Sequence, residues 1–284
     1  MQTSENTGQL ALRNILYTTD FSVAAERALP YAREIARCYG SRLYVVHVLR
    51  PGADPLVPTS SLKKTAAEAI VQREGGDLEE QLLGILHEII FLSGKVWQTL
   101  NKFIQEKRMD LVVFSTHGRT GFDKVKVGSV AADIFWNAPC PALIVGPVVS
   151  TKPRENATLN RILYATDFGV ESLAAAPYAI SLAQEHRAQL ILLHSIESEG
   201  DVPAMFDTLR QLVPFGTELR CEPDRVVEHG APAGKILEVA VGHGADLIVL
   251  GIHGNKGLIQ KHLTRSGVFR IVAQAKCPVL IVRA

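Results

Sequence analysis

The chain has 284 residues, 47% hydrophobic and 21% charged, an ordinary globular composition of about two domains' length that excludes disorder over most of the chain. Its 22 Gly and 14 Pro follow no collagen period, and 6% aromatic residues beside abundant Ala, Val, Ile and Leu suit layered α/β packing better than an all-β sandwich. The 30 Lys and Arg against 29 Asp and Glu leave a net charge of +1, with 16 basic and 15 acidic groups in residues 1–150 and 14 of each in 151–284, so neither half offers a basic body for nucleic acid or a basic tail for a membrane surface.

The predicted elements alternate strand and helix. Short aliphatic runs at 15–17, 43–48, 88–92, 111–114 and 142–145 lack polar alternation, as strands buried on both faces do. Helical patterns lie between them at 22–38, about 60–86, 96–107 and 129–137. The second half repeats the alternation, with strands at 162–164, 190–194, 219–228, 247–250 and 279–282. Such alternation implies a parallel sheet with right-handed crossovers, hence one doubly wound α/β domain per half.

The two halves are copies. Residues 14–47 and 161–194 align without a gap and share 14 of 34 positions, among them Tyr17/Tyr164, Thr19/Thr166, Asp20/Asp167, Pro30/Pro177 and His47/His194. MDLVVFSTHGRTG (109–121) matches ADLIVLGIHGNKG (245–257), and APCPALIV (138–145) matches AKCPVLIV (275–282). Three blocks in one order mean duplication, with domains 1–150 and 151–284 joined by the polar stretch 148–159. The halves differ most at 49–87, a long polar segment with Gly75-Gly76 whose counterpart at 196–216 is much shorter.

In an open parallel sheet, ligands bind beyond the carboxyl ends of the strands, so those loops carry the candidate chemistry. The first strand ends in Thr18-Thr19-Asp20-Phe21-Ser22, repeated as Ala165-Thr166-Asp167-Phe168-Gly169. An Asp there suits a ribose or a metal-bound water, and suits equally the N-cap of the next helix. The fourth strand runs into Ser115-Thr116-His117-Gly118-Arg119-Thr120-Gly121, and Gly128-Ser129-Val130 opens a helix. Glycines let backbone N–H groups approach an anion, a helix start supplies free donors, and Arg119 meets charge. The same residues also describe a Gly-rich turn followed by a Ser cap.

Taken together, T-D-F-S, V-H-V, D-L-V-V-F-S-T-H-G-x9-G-S and P-C-P-A-L-I-V resemble the universal stress protein family, from about residue 13 to 284 and as a tandem pair. The resemblance implies two five-stranded parallel sheets of order 3-2-1-4-5 with helices on both faces, packed as a pseudo-symmetric pair. It implies pairing through the last strands, made within one chain, with association of two chains into a homodimer through other faces left open. In one subclass it implies ATP binding through G-x2-G-x9-G-[S/T]. Carried over, that pattern falls on Ser115, Gly118, Gly128 and Ser129, with His117, Arg119 and Val130 in the same loop and helix start. Thr18, Thr19, Asp20 and the backbone at Val48 are implied near adenine and ribose. The second half begins the pattern with Gly251 and Gly254, beside Thr166 and Asp167, but presents Thr264-Arg265 where the glycine belongs. One inserted residue aligns Arg265-Ser266 with Gly128-Ser129. The first half is therefore expected to be the better site for ATP, with or without Mg²⁺, and the second altered or silent.

Other signals are weaker. Gly230–Lys235 has one residue too few for a P-loop and Ile236 where a hydroxyl should hold Mg²⁺. His117 and His253 are expected to bond within their loops, and His47 and His194 to meet backbone or a neighbouring helix. Cys38, Cys140, Cys221 and Cys277 form no C-x-x-C, Cys140 and Cys277 read as small buried hydrophobes, and no metal site is expected. No nucleophile elbow, zincin motif or paired carboxylate supports catalysis beyond slow ATP hydrolysis. The polar start and the lack of any apolar run of about 18 residues give the expectation of a soluble, reduced, cytoplasmic protein. Two functions remain: a regulatory module that binds an adenine nucleotide, and a nucleotide-independent scaffold of the same fold.

Overall fold

The computed structural model describes residues 10–49, 76–116, 128–150, 157–197, 201–252 and 265–284. In chain order the first half contains β1 (Asn14–Thr18), α1 (Val23–Glu26), α2 (Leu29–Tyr39), β2 (Arg42–Leu49), β3 (His87–Ser93), α3 (Val96–Glu106), β4 (Leu111–Ser115), α4 (Ser129–Asn137) and β5 (Ala142–Val145). The second contains β6 (Arg161–Ala165), α5 (Val170–Leu173), α6 (Ala176–Glu185), β7 (Gln189–Ile196), α7 (Val202–Gln211), β8 (Asp224–His229), α8 (Pro232–Gly242), β9 (Leu247–Ile252), α9 (Arg265–Gln274) and β10 (Val279–Arg283).

The order within each half is third-second-first-fourth-fifth, but the two sheets expected from the sequence are one. The ten strands run β3-β2-β1-β4-β5-β10-β9-β6-β7-β8, all parallel within a half. At the centre β5 meets β10 antiparallel, with Ala142, Leu143 and Ile144 opposite Ile281, Leu280 and Val279. The physical reason lies in β5 itself. All four of its residues are buried, and an unpaired strand of that composition would leave a row of N–H and C=O groups against apolar surface.

Side chains alternate between two cores, one on each face of the sheet. Ile15, Tyr17, Val45, Val113 and Leu143 point to the face covered by α2, α6 and α7. Their neighbours Leu16, Val46, Val112, Phe114 and Ile144 point to the face covered by α3, α4, α8 and α9. This period of two inside continuous aliphatic runs is what burial on both faces requires. Each first strand is pinned at its start by the aspartate that precedes its neighbour, the fourth strand of the half. Asp110 accepts from the N–H groups of Arg13 and Asn14 at 2.7 and 2.8 Å, and Asp246 accepts from those of Asn160 and Arg161 at 3.0 and 3.1 Å.

Two elements depart from expectation, and a third lies mostly outside the described residues. The single helix expected over 22–38 is two, because the chain turns at Arg27-Ala28 before Leu29-Pro30, and proline is tolerated only in the first turn of a new helix. The repeat makes the same break before Ala176-Pro177. The strand expected over 219–228 starts at Asp224, just after Pro223, which has no N–H to give a ladder. Of the segment 49–87, residues 50–75 lie outside the described residues, while residues 76–81 are helical and their Leu78, with the following Leu82, is buried in the first core.

The two halves also touch beyond the central ladder. A Cβ on Gly146, just past β5, would stand 2.1 Å from the carbonyl oxygen of Val272 on α9. Gly146→Ala must push these backbones apart, and an overpacking cost of about 1 to 3 kcal/mol is expected. Urea unfolding of the variant and the parent checks this, and equal midpoints would mean that the end of β5 does not bear on α9.

Candidate functional site

β1 is the point where strand order reverses, with β2 on one side and β4 on the other, so the crevice of the first half opens beyond their carboxyl ends. Thr18, Thr19 and Asp20 stand at the end of β1, Val48 near the end of β2, and Ser115 at the end of β4. The helix start Gly128-Ser129-Val130 joins them, because the Gly128 N–H donates to the Thr116 carbonyl at 2.9 Å. Thr116 was not expected to matter, yet its buried carbonyl ties the cradle to the strand. His117, Gly118 and Arg119 lie outside the described residues, as do His253, Gly254 and Thr264.

The turn after β1 is built by its own side chains. The Thr19 hydroxyl accepts from the Phe21 N–H at 2.9 Å, and Asp20 Oδ1 accepts from the Ser22 N–H at 3.1 Å. Phe21 is thereby held at φ 57°, a left-handed conformation that costs a non-glycine residue free energy and tends to mark ligand sites. The second half copies this, with Phe168 at φ 62° and the Thr166 hydroxyl accepting from its N–H at 2.9 Å. Each phenyl ring lies against a histidine of the second strand, with centroids 4.9 Å apart for Phe21 and His47 and 4.4 Å for Phe168 and His194. His47 Nδ1 and His194 Nδ1 each lie 2.8 Å from the carbonyl oxygen of Thr19 or Thr166, so both histidines meet backbone as expected.

Neither aspartate is a helix N-cap. That place belongs to Ser22, whose hydroxyl accepts from the Ala25 N–H, and to Gly169. The aspartates sit two residues earlier and brace the turn. Their surroundings differ between halves. Asp167 Oδ1 accepts from the Ser172 hydroxyl at 2.6 Å as well as from the Gly169 N–H at 2.9 Å. The repeat places Ala25 where Ser172 stands, so Asp20 has no hydroxyl from that position.

Among the described residues no side chain covers the helix start of the first half. Gly128, at φ −58° and ψ 151°, is in a conformation open to any residue, and among the described residues only the Thr116 oxygen, at 3.4 Å, would touch an added Cβ. Among the described residues no side chain caps α4, and the first-turn N–H groups of Ser129 and Val130 have no acceptor within the helix. A nine-residue helix thus presents free donors and a positive dipole end over the carboxyl edge of β1 and β4.

The second half is arranged differently. Arg265 and Ser266 open α9, and their side chains lie outside the described residues. Gly251 serves packing: an added Cβ would stand 2.0 Å from the Glu171 carbonyl oxygen, so the close approach it permits is that of α5. Ser115 occupies the same place in the first half. A pocket nevertheless opens at the ends of β6, β7 and β9, lined by Thr166, Asp167, Ser172, Ser195, Ile236 and Gly251 among others. Ser172, Ser195 and Ile236 escaped the sequence reading, because they come from three elements with no shared motif.

Two further sequence signals have these surroundings. Lys235 pairs with Glu228 at 3.3 Å and Glu238 at 2.9 Å at the start of α8, a surface ion pair. Burial pushes the Cys140 and Cys277 thiols up to about 12, which keeps both protonated, although only Cys277 is fully buried and Cys140 is half-buried. Among the described residues no helix is long and apolar enough to cross a membrane.

Known proteins were compared with this chain. A universal stress protein from Thermus aquaticus is 34% identical over 134 residues, covering 43% of the chain and 97% of that protein. One from Mycolicibacterium smegmatis is 26% identical over 294 residues, covering 95% of the chain and 96% of that protein. The crystal structure of a universal stress protein from Archaeoglobus fulgidus superposes with a TM-score of 0.74 at 20% identity, over 96% of this chain and 99% of that one, a likeness of fold. The model of the universal stress protein family matches residues 11–146, 158–208 and 219–283, and with these segments on both sides of the repeat the chain belongs to that family as a tandem member.

Proposed function

We propose that the chain is a stress-response protein that binds ATP or a related adenine nucleotide as a regulatory ligand, mainly through residues 1–150, with Mg²⁺ as the companion ion. Gly128 carries the reading. Its backbone needs no glycine, and the space above it leads to the uncapped N–H groups of Ser129 and Val130, so the missing side chain keeps a phosphate-sized approach open. Base and ribose would lie against Thr18, Thr19, Asp20 and the backbone at Val48. Residues 151–284 form the second domain of the same kind. Occupancy acts as a signal only by favouring one arrangement of the chain over another, and the ladder between the halves is a natural place for that difference.

One observation favours a second, weaker site. The pocket beside Asp167 has the mixed polar and apolar lining of a small-molecule site, although Gly251 is committed to α5. A ligand there would be held by its base and sugar more than by its phosphates.

Calorimetric titration of ATP with Mg²⁺ into nucleotide-stripped protein is expected to show one principal site per chain. Gly128→Arg, which copies the second half, should lower affinity at least tenfold with an unchanged circular dichroism spectrum. Affinity unchanged in that variant would remove the cradle from the reading, and no heat at millimolar ATP would transfer the function to a nucleotide-independent scaffold. A residual weak site that Gly128→Arg leaves intact should vanish in Ser195→Trp, which fills the second pocket. Its survival there would remove the second pocket from the reading.

A further inference from the structure

The face of the sheet that carries α2 and α6 brings the two halves together a second time. The repeat starts at residues 14 and 161, so Glu34, Cys38 and Tyr39 on α2 correspond to Ser181 and Glu185 on α6 and to His186 at its C-cap. The contact therefore occurs in two related forms. In one, the Tyr39 and Ser181 hydroxyls hydrogen-bond at 2.8 Å, an ordinary neutral contact. In the other, His186 and Glu34 stand where Tyr39 and Ser181 stand in the first, and Cys38, the counterpart of Glu185, joins them, so three metal-ligating groups meet.

Their geometry is that of a ligand set. His186 Nδ1 is 3.4 Å from Glu34 Oε1 and 3.5 Å from Cys38 Sγ, and Cys38 Sγ is 3.5 Å from Glu34 Oε1. With ordinary zinc–sulfur, zinc–nitrogen and zinc–oxygen bonds at tetrahedral angles, the edges between ligand atoms come to about 3.4 to 3.6 Å. The three atoms already form one face of such a tetrahedron. Glu34 and Cys38 are four residues apart on one side of α2, and the His186 side chain is 3% exposed, so neither helix has to move to close the face. Arg37 holds Glu34 Oε2 at 3.0 and 3.1 Å, which leaves Oε1 turned to the cluster. The Arg37 guanidinium also lies 2.8 Å from Oε1, but that side chain is 63% exposed and is free to withdraw.

We propose that Glu34, Cys38 and His186 form a binding site for a divalent transition metal, zinc by its sulfur–nitrogen–oxygen donors, with a water in the fourth position. Cys38 and Glu34 are only partly buried, which leaves an entry path for the ion and room for that water. Thiolate and carboxylate together neutralise the ion's charge. In the metal-free chain the thiol stays protonated, since burial, with Glu34 nearby, pushes it up to about 11, and metal binding releases that proton. One ligand comes from the second half and two from the first, so a bound ion cross-links them. A ligand that binds only the folded pair stabilises it in proportion to its occupancy.

The test uses the untagged full-length chain, reduced and stripped with chelator. Titration with Co²⁺ should produce thiolate-to-cobalt absorption in the near ultraviolet that saturates at one ion per chain and is displaced by Zn²⁺. Cys38→Ala should abolish the band. His186→Gln and Glu34→Gln, which keep the thiol, should each weaken Co²⁺ binding at least tenfold. Zn²⁺ should raise the melting temperature of the parent and leave that of Cys38→Ala unchanged. Absence of the band in the parent overturns the proposal. So does a band that persists in Cys38→Ala, which would assign it to another thiol such as the exposed Cys221. If Cys38→Ala does not fold, the two thiol-retaining variants decide, and unchanged affinity in both overturns it equally.

Discussion

A parallel sheet of five strands in the order third-second-first-fourth-fifth has an outer strand that its own crossovers do not cover. In this protein that strand is four aliphatic residues long and buried at every position, so it must find a partner. Duplication supplies the partner within the chain, and the three residue pairs between β5 and β10 turn two sheets into one. The rest follows. Two helix layers become continuous across the joint, and Gly146 is squeezed against α9. The aromatic rings of Phe135 and Phe269 stack at 5.1 Å on one face, and Tyr39 meets Ser181 on the other. The tandem chain therefore behaves as one body whose inner seam is as dry as its cores.

Much of this was legible from residues alone. The aliphatic runs gave the strands because burial on both faces leaves no polar alternation to blur them. Repeated blocks gave the duplication, and the order within each half came with the family those blocks resemble. Other features were hidden for definable reasons. Pro30 and Pro177 were visible as repeated residues, yet proline in a helical pattern signals either a first turn or a break, and here it marks both. The aspartates after the first strands suited capping or ligand binding by type, and position alone did not reveal that Ser22 and Gly169 hold the cap. Gly251 matched a phosphate motif, while its lack of a side chain answers to α5 packing directly on it. A glycine in sequence states that something comes close; only the fold states what.

The candidate sites show the same division. Residues contiguous in a loop, such as Thr19 to Ser22, were found because a turn is local chemistry. Ser172, Ser195 and Ile236 were not, since they converge from α5, β7 and α8. The cluster of Glu34, Cys38 and His186 is the extreme case, with 148 positions between the thiol and the imidazole. No spacing rule reaches that far. The repeat offers the only sequence handle: aligned positions that pack against each other across a pseudo-twofold axis are compared best as pairs, and this pair has diverged in chemistry while keeping its contact.

The antiparallel joint also fixes where the two crevices face. Strands of the first half and strands of the second run in opposite directions through one sheet, so their carboxyl ends lie at opposite rims of the molecule. The loop after β1 and the loop after β6 thus open away from each other. A single small ligand is unable to touch both, and two occupants never compete for space or repel at short range. Any coupling between the rims would have to cross the contacts between the halves, among them the ladder, where sliding β5 against β10 by one residue would turn every side chain of the joint to the wrong face. Such a joint has no intermediate register: it holds or it breaks.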